Sequence, residues 1–294
     1  MPFHLCFPLI ASLLFAIGLM FVKRASSSGA GPWAVTLVTN SWAAILFSGL
    51  WFLGGTPQPW TLYYQPAIVA LLYMAGQIFT FLAVERGDVS VAAPILSTKV
   101  LMVAVFVTVI AGEQLSLTTW VAATVATIGI AMIQRSGGAH TPSERVVFSV
   151  VCALAAATDF ALFDVLVQRW SPAWGSGRFL PLVFGAAGLM SIGLIPFVNR
   201  AIVRERTTWQ PLLTGGFFIA LQSLFIVLAL AWYGDAARVN IVYALRGIWG
   251  VLLAWIFAHW LGGGEASASR GTMRRRLIGA SLLTAAVIAA IAAR

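Results

Sequence analysis

Ten apolar runs succeed one another along the chain, at about 3–22, 33–53, 65–84, 91–110, 118–134, 146–167, 179–198, 212–233, 238–260 and 277–293. A helix crosses the hydrocarbon of a bilayer with about 20 such residues. None of the runs shows the period-two alternation of a barrel strand, so helices are the reading. The fold class expected is therefore an all-α membrane protein with ten transmembrane helices. The breaks carry turn chemistry: Ser26-Ser27-Ser28-Gly29, Gly54-Gly55-Thr56-Pro57, Gly87-Asp88, Gly112-Glu113, Gly137-Gly138, Ser171-Pro172, Gly234-Asp235 and Gly262-Gly263-Gly264. Of 294 residues, 60% are hydrophobic and 9% charged, against about 45–50% and about 25% in a soluble domain. Mean hydropathy is +0.93. A soluble enzyme and a disordered chain are both excluded, and ten crossings leave no room for a sizeable extramembrane domain. The first run has no basic segment ahead of it and reaches Val22 before Lys23 and Arg24, which reads as a first membrane helix rather than a cleaved leader.

The formal charge is +9, from 18 Lys and Arg against 9 Asp and Glu. The bases are spread over short loops without interleaved aromatics, so nucleic acid is not an expected partner. Loops after the first, third, fifth, seventh and ninth runs hold Lys23, Arg24, Arg86, Arg135, Arg145, Arg200, Arg204, Arg206, Arg270 and Arg274 to Arg276, whereas the other side holds Arg169, Arg178, Arg238 and Arg294. The bias makes the first set cytoplasmic, with both termini outside a bacterial inner membrane. Cys6 and Cys152 lie in apolar runs, there is no CxxC, and His4, His140 and His259 are scattered. Neither a disulfide framework nor a metal or other cofactor is expected, and no P-loop, G-x-S-x-G or H-E-x-x-H pattern occurs.

The polar stretch from Arg135 to Arg145 divides five runs from five, which sets expected units of 1–140 and 141–294. Gly87-Asp88 precedes the fourth run and Gly234-Asp235 the ninth, 147 residues later, and Lys99 and Arg246 lie inside those runs at the same offset of 147. Gly112-Glu113 and Gly264-Glu265 match at an offset of 152, and Gln77 has a rough counterpart in Gln222. With five helices per half, the halves are expected as two inverted five-helix repeats.

Residues 76–113 carry a more specific pattern: Gly76-Gln77, then Leu82-Ala83-Val84-Glu85-Arg86-Gly87-Asp88-Val89-Ser90-Val91-Ala92-Ala93-Pro94, then Lys99, then Gly112-Glu113-Gln114-Leu115-Ser116, with Trp120 and Gly129 following. This resembles the drug/metabolite transporter superfamily, in its EamA-type, ten-helix branch. Leu277-Ile278-Gly279-Ala280 is similar to the start of that family's last helix. The chain departs from it at Ala16-Ile17-Gly18, where a Trp-Gly pair is common, at Asn40 in place of an Arg, and near Ile241, where a Pro is expected. The resemblance implies a secondary carrier or exporter of small metabolites, working without ATP hydrolysis. It implies a central cavity lined from both halves, and cytoplasmic termini, opposite to the charge count. Substrates in the superfamily include amino acids, nucleotide sugars, phosphorylated sugars and cationic drugs.

A charge in mid-bilayer costs about 2.5–3.5 kcal/mol on insertion scales and needs a reason. Lys99, Asp159, Asp164 and Arg246 sit inside apolar runs. On the functional reading Lys99 and Arg246 face one cavity and attract a carboxylate or phosphate. Asp159 then serves as a proton or cation site or as partner to an amino group, and Asp164, nearer the end of its run, reaches toward headgroups. On the structural reading Asp159 pairs with Lys99 or Arg246 and fixes the helices, and snorkelling of Lys99 is a third possibility. Asp159 and Asp164 lie about 140° apart on a helix and cannot share a face. Tyr243 and Asn240 precede Arg246 on its own face. Tyr73, Gln77 and Asn40 are further substrate-binding candidates, with interhelical hydrogen bonding as the alternative for each. Pro94 is expected to kink the fourth helix beside Lys99, as hinge or fixed shape. Gly247 and Gly250 read as close helix contact or as ligand space. Glu113 and Glu265 read as helix-end groups.

The function expected is a secondary active transporter or exporter of a small polar metabolite, anionic or zwitterionic, such as an amino acid. It would work by alternating access, with a proton as the candidate coupling ion at Asp159 or Asp164. Expected partners are that small molecule and the lipid bilayer, with the chain as monomer or homodimer. The alternatives are a passive channel or facilitator, a membrane-embedded transferase, for which the loops are too short and too poor in carboxylates and His, and a scaffold, which needs no charge inside the membrane.

Overall fold

A computed structural model describes residues 3–85, 89–134, 143–256 and 270–292. Its α-helices are α1 (Cys6–Ser27), α2 (Pro32–Ser48), α3 (Tyr64–Glu85), α4 (Val89–Leu96), α5 (Lys99–Phe106), α6 (Leu117–Gln134), α7 (Ser143–Trp174), α8 (Ser176–Ile192), the short α9 (Arg200–Val203), α10 (Arg206–Tyr233), α11 (Ala236–Tyr243), α12 (Arg246–Ile256) and α13 (Arg270–Ala292). Among the described residues nine helical stretches are long and apolar enough to cross a membrane, and α8, at the place of the seventh run, is a shorter apolar helix of 17 residues. The protein is thus an all-α, multi-pass membrane protein. Large apolar side chains stand exposed along the outside, Leu71, Val109, Val151, Leu189 and Ile288 among them, as a lipid-facing surface requires.

Two runs that the sequence presents as single helices are each two. The fourth span is α4, a turn at Ser97-Thr98, α5, and a π turn over Val107–Ala111. Pro94 lies within α4 about one turn ahead of the first break, and the bond it lacks is the one back toward the start of α4. The hydroxyls of Ser97 and Thr98 then fold back onto the carbonyls of Pro94 (2.5 Å) and Ile95 (2.7 Å). Gly112 ends the span in the left-handed conformation, at φ 74°, which costs a glycine little. The ninth span is α11, a turn at Ala244-Leu245, and α12, broken with no proline at all.

The helices pair in a pattern that repeats. Counting spans, the first (α1) packs on the eighth (α10), and the third (α3) on the sixth (α7). The second (α2) meets both the eighth and the seventh (α8), and the third also meets the seventh. The fifth (α6) packs on the tenth (α13). Adding five to each number, counted round ten, exchanges these pairs among themselves, an internal symmetry of pairing. Closest approach comes at small residues. A Cβ on Gly129 would lie 2.8 Å from the Gly279 carbonyl oxygen, and one on Gly279 2.6 Å from that of Gly129. Gly18 and Gly215 play the same part between α1 and α10, at 3.1 Å and 3.0 Å. Between the second, third and seventh spans the core is aromatic: Phe47 stacks on Phe184 at 3.6 Å, with Tyr73 edge-on to Phe184.

Candidate functional site

The two broken spans meet, α5 against α11, and each break immediately precedes a cation. Lys99 is the first residue of α5 and Arg246 the first of α12. Before Lys99 the backbone bonds shorten in register, Ser97 N–H to the Pro94 carbonyl and Val100 N–H to that of Ser97. Before Arg246 the same tightening joins Leu245 N–H to Val242 and Gly247 N–H to Ala244. Irregular backbone of this kind is tolerated at membrane depth only where protein or a cavity surrounds it, and broken helices are a usual means of building a binding site there.

Lys99 Nζ lies 2.8 Å from Asp164 Oδ2. Asn240 Nδ2 donates to that same oxygen at 2.7 Å and also to the Ala236 carbonyl. The fourth, sixth and ninth spans are so joined through one carboxylate, only 3% exposed. Two expectations are corrected here. The acid that answers Lys99 is Asp164, and Asp164 is buried instead of reaching toward headgroups. Asp159, about 140° round α7, is partly exposed and keeps Oδ2 buried without a hydrogen-bond partner among the described residues.

Arg246 has no ion pair among the described residues. Its guanidinium lies over the rings of Tyr243, at 4.4 Å, and Phe15, at 5.1 Å, and it stands near enough to Lys99 to repel its charge. Lys99 in turn lies 5.7 Å from the Phe160 ring centroid. The buried Tyr73 turns its hydroxyl toward Ser223 and Gln77 and packs on Phe163 and Phe160. The centre therefore holds two cations and one paired anion inside an aromatic wall, with a surplus of positive charge on Arg246.

Asn40 belongs to a neighbouring cluster. It is wholly buried and exchanges two amide hydrogen bonds with Gln77, at 3.1 and 3.0 Å, while also donating to Ser191 Oγ at 2.7 Å. These bonds tie α2, α3 and α8 together, and Gln77 connects that tie to Tyr73. Pro94 lies one turn before Lys99, beside the break. Sequence reasoning missed Phe15, Phe160 and Ser223, which carry no signal that separates them from ordinary membrane residues. Trp249 on α12 donates its indole N–H to Ser12 Oγ at 3.0 Å, joining the ninth span to the first.

One end of the bundle is closed by polar contacts among the spans that hold the centre. Gln168 Nε2 donates to Glu113 Oε1 at 2.6 Å, and Gln168 Oε1 accepts from Ala236 N–H at 2.8 Å. Asp235, left-handed at φ 68°, receives His4 Nε2 at 3.0 Å and Arg238 Nε at 2.6 Å. Arg169 donates to the Ile110 carbonyl. Glu113, expected as a helix-end group, thus joins the fourth span to the sixth, whereas Glu265 and the Gly264-Glu265 and Gly87-Asp88 matches lie outside the described residues. Cys6 and Cys152 are free thiols. No group of three His, Cys, Asp or Glu that could hold a metal ion occurs among the described residues.

Residues 3–135 match the model of the EamA-like transporter family. No curated protein matches the chain. A solved structure described only as "Crystal structure of protein" superposes with a TM-score of 0.73 at 18% identity, covering 98% of this chain and 98% of the other, a likeness of fold alone. The first part of the chain is thus similar to a transporter family, and the multi-pass helical fold is consistent with small-molecule transport.

Proposed function

We propose that the protein is a secondary transporter that carries a small anionic or zwitterionic metabolite, such as an amino acid, past Arg246 by alternating access. The observation that carries this reading is the pair of helix breaks, each opening directly onto a cation, with one buried acid between them. In this reading Arg246 takes the oxyanion, because its contacts are rings and no carboxylate answers it. A guanidinium offers two parallel donors to a carboxylate. Tyr243, Tyr73 and Gln77 flank the path, while Asn40 acts through Gln77. Lys99 is committed to Asp164 at rest.

Coupling falls to Asp164 ahead of Asp159. One proton on Asp164, or a substrate ammonium beside it, releases Lys99 and Asn240 together and so loosens the fourth span from the sixth and ninth. Pro94 and the Ser97-Thr98 turn are the hinge in this scheme. Residues 1–140 and 141–294 are the two rocking units, inverted five-helix repeats related by the symmetry of pairing described above. Site of action is the bacterial inner membrane, with the chain as monomer or homodimer.

The test is a panel of amino acids and small carboxylates scored by thermal shift on detergent-purified protein, followed by counterflow of the best ligand in proteoliposomes. A ligand is expected to stabilise the wild type and to lose that effect in Arg246→Ala, and labelled ligand is expected to enter faster against unlabelled ligand inside. Equal stabilisation of wild type and variant removes the role of Arg246. Flux without trans-stimulation makes the protein a channel.

A further inference from the structure

Away from the centre, a groove of about 640 Å³ runs between the end of α1 and the start of α10, lined by Phe21, Arg24, Arg206, Thr207, Gln210 and Thr214 with Trp209, Pro211 and Leu213 along its edge. It lies at the face of the bundle that carries the basic loops. Its lining mixes cationic, polar and apolar side chains along its length. Arg206 stands at the outer end and Arg24 about two turns further in, level with Leu212 by the pairing of Ser28 with Thr208 and of Val22 with Gly215, and both are exposed. Thr207 and Gln210 follow within one turn of α10, then Leu213 and Thr214, with Phe21 one turn inward of Arg24 on α1. From Arg206 to Thr214 the helix advances about 12 Å at 1.5 Å per residue, roughly the distance from a headgroup to the upper acyl chain.

The floor is rigid. Phe21 is stacked on Phe218, with rings 8° from parallel. Inward of the groove α1 and α10 close on each other at Gly18 and Gly215, and alongside its outer part Thr208 Oγ1 donates to the Ser28 carbonyl at 3.2 Å. The 28-residue α10 begins at Arg206 with no side-chain cap from Glu205, so the positive end of its dipole lies beside Arg206. Two cations, amide and hydroxyl groups and apolar side chains side by side in one groove at the basic face suit a glycerophospholipid, which brings a phosphate, an ester region and the start of its chains together. A water-soluble anion has no use for the apolar part, and a zwitterionic lipid brings a choline or ethanolamine cation against two arginines.

We propose that this groove is a binding site for an anionic glycerophospholipid, its phosphate held by Arg24 and Arg206. The site is independent of the transport reading, since it shares no residue with the centre. Basic pockets between helices on the positively charged face recognise such headgroups by charge and shape.

The experiment is native mass spectrometry of the full chain, released from detergent after titration with dioleoyl-phosphatidylglycerol or dioleoyl-phosphatidylcholine, with inorganic phosphate as a third arm. Wild type is expected to retain one phosphatidylglycerol in preference to phosphatidylcholine. Arg24→Gln and Arg206→Gln are each expected to weaken that retention about fivefold, and the double variant about 25-fold. Arg206→Lys is expected to keep most of it. The control is Lys23→Gln with Arg204→Gln, two exposed neighbouring bases outside the groove, expected to leave retention unchanged. Loss in the control equal to that in the double variant shows diffuse surface charge and overturns the proposal. So does undiminished retention in the double variant, competition by millimolar phosphate, or a dimer that forms through this face and excludes the lipid.

Discussion

A carboxylate within hydrocarbon persists as an anion only while donors answer it, and Asp164 is answered on the same oxygen by Lys99 and by Asn240. Removing one partner of such a pair leaves the other charge buried and uncompensated, at about 3–5 kcal/mol, whereas replacing both by apolar groups of similar size is close to neutral. Asp164→Ala is therefore expected to lower the unfolding midpoint in detergent sharply, and Lys99→Met with Asp164→Leu to recover most of the loss, while transport fails in both. A double variant no more stable than Asp164→Ala removes the pair as the cause. All four membrane charges were legible in the sequence, but which acid meets which base was not. That depends on how α7 is rotated about its axis. A helix apolar on nearly every side has no polar face from which to read the rotation, so Asp159 and Asp164 were distinguished only by depth. Asn40 shows the same limit: its place in a span was plain, and its commitment to Gln77 and Ser191 was not.

At the level of elements, the apolar runs located the spans well because length and hydropathy are what the bilayer selects. They did not locate the break in the ninth. Pro94 marks the fourth span as irregular one turn ahead of its break, but Ala244-Leu245 contains nothing that breaks a helix, and the only sequence signal was the 147-residue offset to Lys99. Small residues were more informative in pairs than singly. Gly129 and Gly279 each sit where a Cβ would strike the other's carbonyl oxygen, at 2.8 Å and 2.6 Å, so α6 and α13 touch by backbone. Gly129→Val must push the two helices apart, an overpacking cost of about 1–3 kcal/mol. Gly250→Val is the matched control, since nothing lies within 4 Å of a Cβ there. The expected result is a lower thermal midpoint for the first and little change for the second. Equal shifts refute the close crossing of α6 on α13.

Across the whole molecule, the polar contacts at one end join spans that the proposed alternating access would separate. Gln168 on the sixth span holds Glu113 at the end of the fourth and the first amide of the ninth, and Asp235 holds His4 at the start of the first. Each bond is individually modest, about 0.6–2 kcal/mol between membrane helices, so together they can close a face and still yield to a ligand's differential binding energy. A carrier must open this face once in each cycle, whereas a static assembly never does. Replacing Cys6 and Cys152 by Ser and placing Cys at His4 and Asp235 allows a short bis-methanethiosulfonate, which forms a disulfide with each thiol and releases methanesulfinate, to fix the face shut. Cross-linked protein in proteoliposomes is expected to lose counterflow almost completely and to regain it on reductive cleavage of the link. The same protein treated with a monofunctional thiol reagent should keep turning over, because a modified side chain does not tether α1 to the start of α11. Undiminished exchange in fully cross-linked protein means that these spans stay together throughout transport, and alternating access through this face is then refuted.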